Sequence, residues 1–466
     1  MSNAKGVRAR AVVVGGSMVG MAVARALRRH FEEVVVIDRD TLPTDAPEHR
    51  RGAPQSWHIH NLTLRGQREL EALFPGFVDK AVALGAVRLD HANEVAVLTD
   101  MGWAPQFESD FIGLSATRVL LEFAQRERFR ALSQNVVMLE ATRVLDLITE
   151  AQGSTHKACG VVTDHPEQRE IRADLVVDCS GRAALWKGWF EQRGLAPPRE
   201  TLVDSRCGYS SRFYRARDVK AFSWKSLVVD AAYPKRPRWG VIFPLERDEW
   251  VVTLGGFNGN YPPSDDQGFL EFARELGSPV FDEALAAAEP ITPTRTFRRL
   301  EMRWNHFEQY RNPVANFLAI GDSCWAYNPL YGQGMSIGAT CARILRDVLS
   351  EDSSLETLAE RYYPRASRFA KPAWSSTALL DLRWPKTAGK RPWYARTVLF
   401  VGDFFLRAGC YDKAVSCAVL SAIHLLAAPW ALVTPRVLAG VSMYTLRRLA
   451  RSLPQLPADR PFSAPR

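Results

Sequence analysis

Residues 11–40 read AVVVGGSMVGMAVARALRRHFEEVVVIDRD: an apolar run, a glycine turn, a helical stretch, and a second apolar run ending in an acid. That order constrains the chain more than any other feature, because it is the strand–turn–helix–strand unit of a parallel sheet. Gly15 permits the tight turn and Gly20 lets helix and strand pack closely, so the N–H groups that open the helix face a pyrophosphate. Asp38 falls where a carboxylate accepts from a ribose hydroxyl. The loop runs Gly15-Gly16-Ser17-Met18-Val19-Gly20, with Ser17 where the G-x-G-x-x-G fingerprint has its second glycine. Its place after Val12-Val13-Val14, and roughly 20 residues before the acid, favours a dinucleotide-binding unit over an ordinary glycine turn.

At 466 residues and 47% hydrophobic, the chain exceeds one core and should divide into two or three lobes with room for a large cofactor. Lys and Arg number 60 against 51 Asp and Glu, a balance of +9. They form no long run or aromatic-interleaved stripe, which argues against nucleic acid as partner. Seven cysteines without C-x-x-C spacing read as reduced thiols. The opening MSNAKGVRAR runs straight into a core strand with no secretory h-region, and a cytoplasmic location is expected.

Pro and Gly clusters punctuate the chain. TDAPEHRRGAPQ (44–55) separates the second strand from a helix-like run near Ile59, and GLAPPRE (194–200) follows a strand over Ala173–Cys179. Between 201 and 260 the texture is β-rich, with Trp239–Pro244 and Trp250–Gly255 forming a hairpin. Strand texture returns at Asn316–Gly321, followed by a helix over Gly334–Leu349. The expected architecture is α/β: a Rossmann-like domain discontinuous over 1–90, 105–195 and 300–360, and an antiparallel β-sheet substrate domain over 91–104 and 196–299. A C-terminal helical region over 361–452 and a tail over 453–466 complete it.

FLAIGDSCWAYNPLYGQGMS (317–336) is a second motif: a strand, Gly321-Asp322, Pro329 eight residues after Gly321, then Gly332-Gln333-Gly334-Met335 opening a helix. A carboxylate just past a strand can bind ribityl hydroxyls. The positive end of a glycine-rich helix can approach an isoalloxazine edge and favour the charge of the reduced ring. Paired with the N-terminal unit, this resembles the FAD-dependent monooxygenases of the para-hydroxybenzoate hydroxylase fold. The stretch Arg50-Arg51-Gly52-Ala53-Pro54-Gln55-Ser56-Trp57-His58-Ile59-His60 is similar to bacterial polyether polyene epoxidases, relatives of squalene epoxidase, as are Asp178-Cys179-Ser180-Gly181-Arg182 and Asn328–Ser336. The resemblance implies a cofactor site of Gly15, Gly16, Ser17, Met18, Gly20, Asp38, Arg39, Arg50, Arg51, Arg118, Asp322, Pro329, Gly332, Gly334 and Met335, with Arg118 beside the flavin or its phosphates. It implies FAD, with NAD(P)H or a separate flavin reductase as electron source, and oxygen delivered through a flavin C4a-hydroperoxide to an alkene or electron-rich ring. No catalytic acid is assigned.

The chain departs from the wider family at several points. Asp178 and Gly181 are not adjacent, which puts direct nicotinamide docking in doubt. Ser336 and Trp325 replace the usual Asn and His. These changes fit an epoxidase of lipophilic polyketide or terpenoid-like substrates, the leading reading; the alternative is a [4+2] cyclase that keeps FAD only to shape its pocket. His58-x-His60 has no further ligand nearby, so no metal is expected. Trp186-Lys187-Gly188-Trp189 lacks the W-x-W-x-I-P spacing of flavin halogenases, and no G-x-S-x-G elbow exists. Residues 414–435 contain no Asp, Glu, Lys or Arg but include His424 and Pro429. A buried helical pair roofing the substrate cavity is the first reading. The second is peripheral membrane contact through 414–452, with Arg447, Arg448 and Arg451 near headgroups.

Overall fold

The computed structural model describes residues 8–153, 155–218, 221–298, 300–311, 314–427, 432–450, 452–456 and 461. Pro429, Arg451 and most of the tail lie outside them. The valine-rich runs pair as a five-stranded parallel sheet in the order Phe317–Ala319, Leu175–Asp178, Arg8–Val14, Phe31–Ile37, Val136–Leu139. Val12 and Val13 are fully buried, as parallel strands covered on both faces require. Helices Met18–Leu27, Gly334–Glu351 and Leu358–Leu382 join this sheet in one core.

A second, eight-stranded sheet runs Ala288–Pro290, Gly208–Ala216, Glu249–Gly256, Arg238–Pro244, Ser226–Val229, Val95–Thr99, Gly102–Trp103, with Arg295–Phe297 also on Gly208–Ala216. The hairpin is present, with Val241 opposite Thr253. One pair departs from the antiparallel pattern: Ser226–Val229 lies parallel to Val95–Thr99. Helices Asp266–Arg274 and Pro279–Ala286 cover one face through Phe269, Phe272 and Phe281. The opposite face packs Tyr209 and Trp239 with Trp384, Leu300 and Leu330.

Two expectations shift. The helix near Ile59 begins at Leu64, where Thr63 caps it by accepting from Gly66 N. The C-terminal pair is helical over Lys413–Ile423 and Pro435–Leu449 but is not buried. Val415 is the buried residue of the first, and Val437, Gly440 and Tyr444 those of the second, in a small cluster of their own with Ala408. Among the described residues no helix is long and apolar enough to cross a membrane.

Candidate functional site

Both glycine motifs lie where parallel strands end, on the two strands flanking Leu175–Asp178. Gly15 has φ +105°, and its N–H donates to Ile37 O at 2.8 Å. A Cβ on Gly20 would stand 1.7 Å from Gly15 O, so only glycine lets the helix start this close. Met18 is buried behind the turn, and Ser17 caps the helix with no side-chain bond to its N–H groups. Val19 joins the two motifs. A Cβ on Gly321 would come within 3.0 Å of its Cγ1, and one on Gly338 would come closer still to Cγ2.

Around the first turn the charges interlock. Gly16 N donates to Asp38 Oδ2 at 2.7 Å, and Asp40 N to Asp38 Oδ1 at 2.9 Å. Asp38 therefore holds the loop through both carboxylate oxygens. Arg50 pairs with Asp40 at 2.9 Å and with Glu122 at 3.0 Å. Arg118 donates to Ser17 Oγ at 2.7 Å and pairs with Glu122 at 3.0 Å, and Arg126 reaches the same carboxylate at 3.1 Å. Burial pushes the Glu122 carboxyl up, but Arg118, Arg50 and Arg126 outweigh it and bring it down to about 2. Arg39 and Arg51 are exposed and stand outside this network.

In the second motif Gly321 (φ +75°) and Gly332 (φ +63°) adopt left-handed backbone, and Pro329 begins a single 3₁₀ turn, Pro329–Tyr331. Asp322 lies 3.8 Å from Arg182, which also donates to Glu301 O and Tyr327 O. Gly334 opens the helix, close enough that a Cβ there would meet Asp322 Oδ1 at 3.5 Å. Met335 is half-buried beside it. Asp178, by contrast, is spent inside the fold, accepting from Ser180 N at 2.7 Å and Trp186 N at 3.1 Å.

Three features carried no site expectation. Glu122 is the hub of the arginines, and its spacing of four from both Arg118 and Arg126 was the available signal. Asp381, late in helix Leu358–Leu382, accepts from Tyr331 OH at 2.7 Å, Asn328 Nδ2 at 3.0 Å and Ser205 Oγ at 3.1 Å, so it fixes the Pro329 turn. Burial raises its carboxyl to about 6. The third is an aromatic cluster of Tyr209, Trp239, Phe257, Phe297 and Trp384 on the sheet side, with Leu330 of the turn packed against it.

His58 bonds Ser211 at 2.8 Å and His60 bonds His58 O at 2.9 Å. Burial lowers both rings to about 3 and keeps them neutral. Among the described residues no group of three His, Cys, Asp or Glu could hold a metal. Trp186 and Trp189 are core residues.

The site fits a dinucleotide. Arg118 Nε and Arg126 Nε are buried without a partner, three guanidinium groups gather on Glu122 beside Ser17 at the helix start, and Gly20 brings the helix against the Gly15 turn.

No family model matches the chain. It is 30% identical over 422 residues to Protein Rv3254 of Mycobacterium tuberculosis, covering 87% of each. It is 23% identical over 381 residues to the Menaquinone reductase of Mycolicibacterium smegmatis, covering 78% of this chain and 83% of that one. Among solved structures, the flavin-dependent brominase Bmp2 superposes with TM-score 0.64 at 14% identity, over 95% of this chain and 99% of that one. The probable FAD-dependent monooxygenase pqsL of Pseudomonas aeruginosa gives 0.58 at 16%, over 81% and 98%. At these identities the structural likeness establishes the fold.

Proposed function

The chain belongs to the family of Mycobacterium tuberculosis Protein Rv3254, and we propose that it is an FAD-dependent monooxygenase that epoxidises or hydroxylates a lipophilic polyketide or terpenoid-like molecule. The observation that supports this reading is the close approach of the two glycine motifs: Val19 of the first stands against Gly321 of the second, so the residues proposed for the diphosphate and for the ribityl chain lie near one another.

Arg50, Arg118 and the start of helix Met18–Leu27 would hold the diphosphate, Asp38 the ribose, Asp322 the ribityl chain, and Gly332–Met335 the ring edge. When bound and reduced, the flavin supplies electrons, either to O₂ for oxygen insertion or directly to a reducible substrate. The protein's part is to position and to keep dry. Asp381 holds Asn328 and Tyr331, and so fixes the Pro329–Tyr331 turn that precedes the helix start assigned to the ring edge. Tyr209, Trp239, Phe297 and Trp384 give an apolar wall that excludes water and favours a greasy substrate. His58 is neutral and bonded to Ser211, which is itself bonded to Thr253 at 2.8 Å, so a hydroxyl relay borders that wall.

A second reading comes from the relative named Menaquinone reductase: reduction of a lipophilic quinone in the same site. The burial of Asp178 leaves no free carboxylate in that motif for a nicotinamide and supports electron supply by a separate reductase. The test is turnover of candidate polyenes by purified holoprotein. Strict need for reductant and O₂ supports the monooxygenase, and turnover with reductant but without O₂ replaces it with the reductase. Turnover in the oxidised, oxygen-free state replaces it with a cyclase.

A further inference from the structure

Lys and Arg are scattered along the chain, but their excess is not. Residues 386–466 hold twelve Lys and Arg against three Asp and no Glu, a balance of +9 that equals that of the whole chain. Residues 1–385, which build both sheets and the groove, are therefore neutral on balance.

The same segment turns apolar side chains outward. Helix Pro435–Leu449 meets the protein through Val437, Gly440 and Tyr444, spaced three and four apart on one face. On the other face, spaced by four, four and three, stand Leu438, Ser442, Leu446 and Leu449, with Leu446 62% and Leu449 77% exposed. A helix packed along one stripe ordinarily presents charge to water there. Arg436 and Arg447, eleven residues apart, share one side of this helix. No ion pair involves Arg436, Arg447 or Arg448 among the described residues.

Helix Ala395–Gly409 repeats the pattern. Phe400 is 69% exposed and Val401 faces outward near it, while Trp393 just before the helix is 93% exposed beside Tyr394. The two helices are joined by the edge-to-face contact of Phe404 with Tyr444, ring centroids 5.2 Å apart.

We propose that these two helices form a platform that lies on an anionic lipid bilayer, with Trp393, Phe400, Leu446 and Leu449 entering the boundary between headgroups and acyl chains and Arg436, Arg447 and Arg448 meeting lipid phosphates. Outward apolar residues combined with concentrated positive charge match that surface on both counts. Pairing with a second copy would set +9 against +9. Neither helix is long and apolar enough to cross, so the contact is interfacial. The inference stands independently of the reaction proposed above.

The test is flotation of the full-length protein with vesicles of phosphatidylcholine alone and of phosphatidylcholine mixed with phosphatidylglycerol. The protein should float with the mixed vesicles and weakly with the neutral ones, and high salt should reduce the difference. Arg447→Gln and Arg448→Gln should each weaken binding to anionic vesicles about fivefold. The triple change Phe400→Ser, Leu446→Ser, Leu449→Ser should abolish flotation while leaving the melting temperature and flavin content of the exposed-site variant unchanged. Failure to float with anionic vesicles, or undiminished flotation of the triple variant, overturns the proposal. So does a dimer, seen by light scattering, that the triple change dissolves while wild type ignores vesicles.

Discussion

Replacing Gly20 by alanine tests the first motif most sharply. The added carbon would stand 1.7 Å from Gly15 O, whereas such contacts essentially never fall below 3.0 Å, so helix and turn must part by at least 1.3 Å, the difference between the two. The atom opposite is backbone and cannot swing aside. Nor can the helix retreat freely, because Val19 on it is lodged against Gly321 and Gly338. Overpacking of this kind costs about 1–3 kcal/mol, and the rigid partner places this case at the upper end. Displacement also moves the helix start away from the diphosphate, so the loss should appear in flavin binding as well as in folding. Urea unfolding and the flavin-to-protein absorbance ratio measure the two. Gly402→Ala serves as control: its Cβ meets nothing within 4 Å in helix Ala395–Gly409, and it should stabilise by about 0.5–1 kcal/mol. A Gly20→Ala protein with wild-type stability and full flavin content would refute the close-approach argument.

Glu122→Gln leaves Arg50, Arg118 and Arg126 buried around a neutral group and should cost about 3–5 kcal/mol by urea midpoint. Added FAD should recover more stability in the variant than in wild type, because the diphosphate replaces the missing anion; an equal gain would argue against that placement. For Asp381 the folded pKa of about 6 lies above the ordinary 3.8, so its contribution to stability is present at the acid end and is lost as pH rises through 6. The stability difference between wild type and Asp381→Asn should thus change by about 3 kcal/mol across that window, measured by unfolding at each pH, and stay flat outside it. Trp384→Ala removes a ring stacked on Phe257 at 5.0 Å and 15°, and should cost about 3–5 kcal/mol in unfolding experiments while raising KM for an apolar substrate.

The parts of the site readable in the sequence are those where backbone meets backbone. Gly15, Gly20, Gly321 and Gly332 are dictated by positive φ or by approach distances that no side chain permits, so their spacing survives in the chain as a pattern. Four of the five parallel strands were likewise visible as apolar runs, whereas the edge strand Val136–Leu139, with Val137 41% exposed, carried no such signal. Glu122 and Asp381 were hidden for the opposite reason. Each is one acid on a helix, and what separates it from a solvated residue is a partner 72 positions away for Glu122 with Arg50 and 53 for Asp381 with Asn328. The parallel pairing of Ser226–Val229 with Val95–Thr99 was equally unreadable, since an isolated strand does not reveal its neighbour's direction. The C-terminal helices misled because an uncharged stretch looks alike whether it is buried or turned outward.

The order of the five-stranded sheet has a consequence during synthesis. Leu175–Asp178 lies between Arg8–Val14 and Phe317–Ala319, yet the last of these emerges about 140 residues after it. At roughly 5–20 residues per second the nascent chain spends on the order of 7–30 s with that apolar strand unpaired along one side. Such an edge is a template for aggregation. Recombinant yield should therefore improve when translation is matched by a chaperone able to shield it until the ribosome delivers the fifth strand.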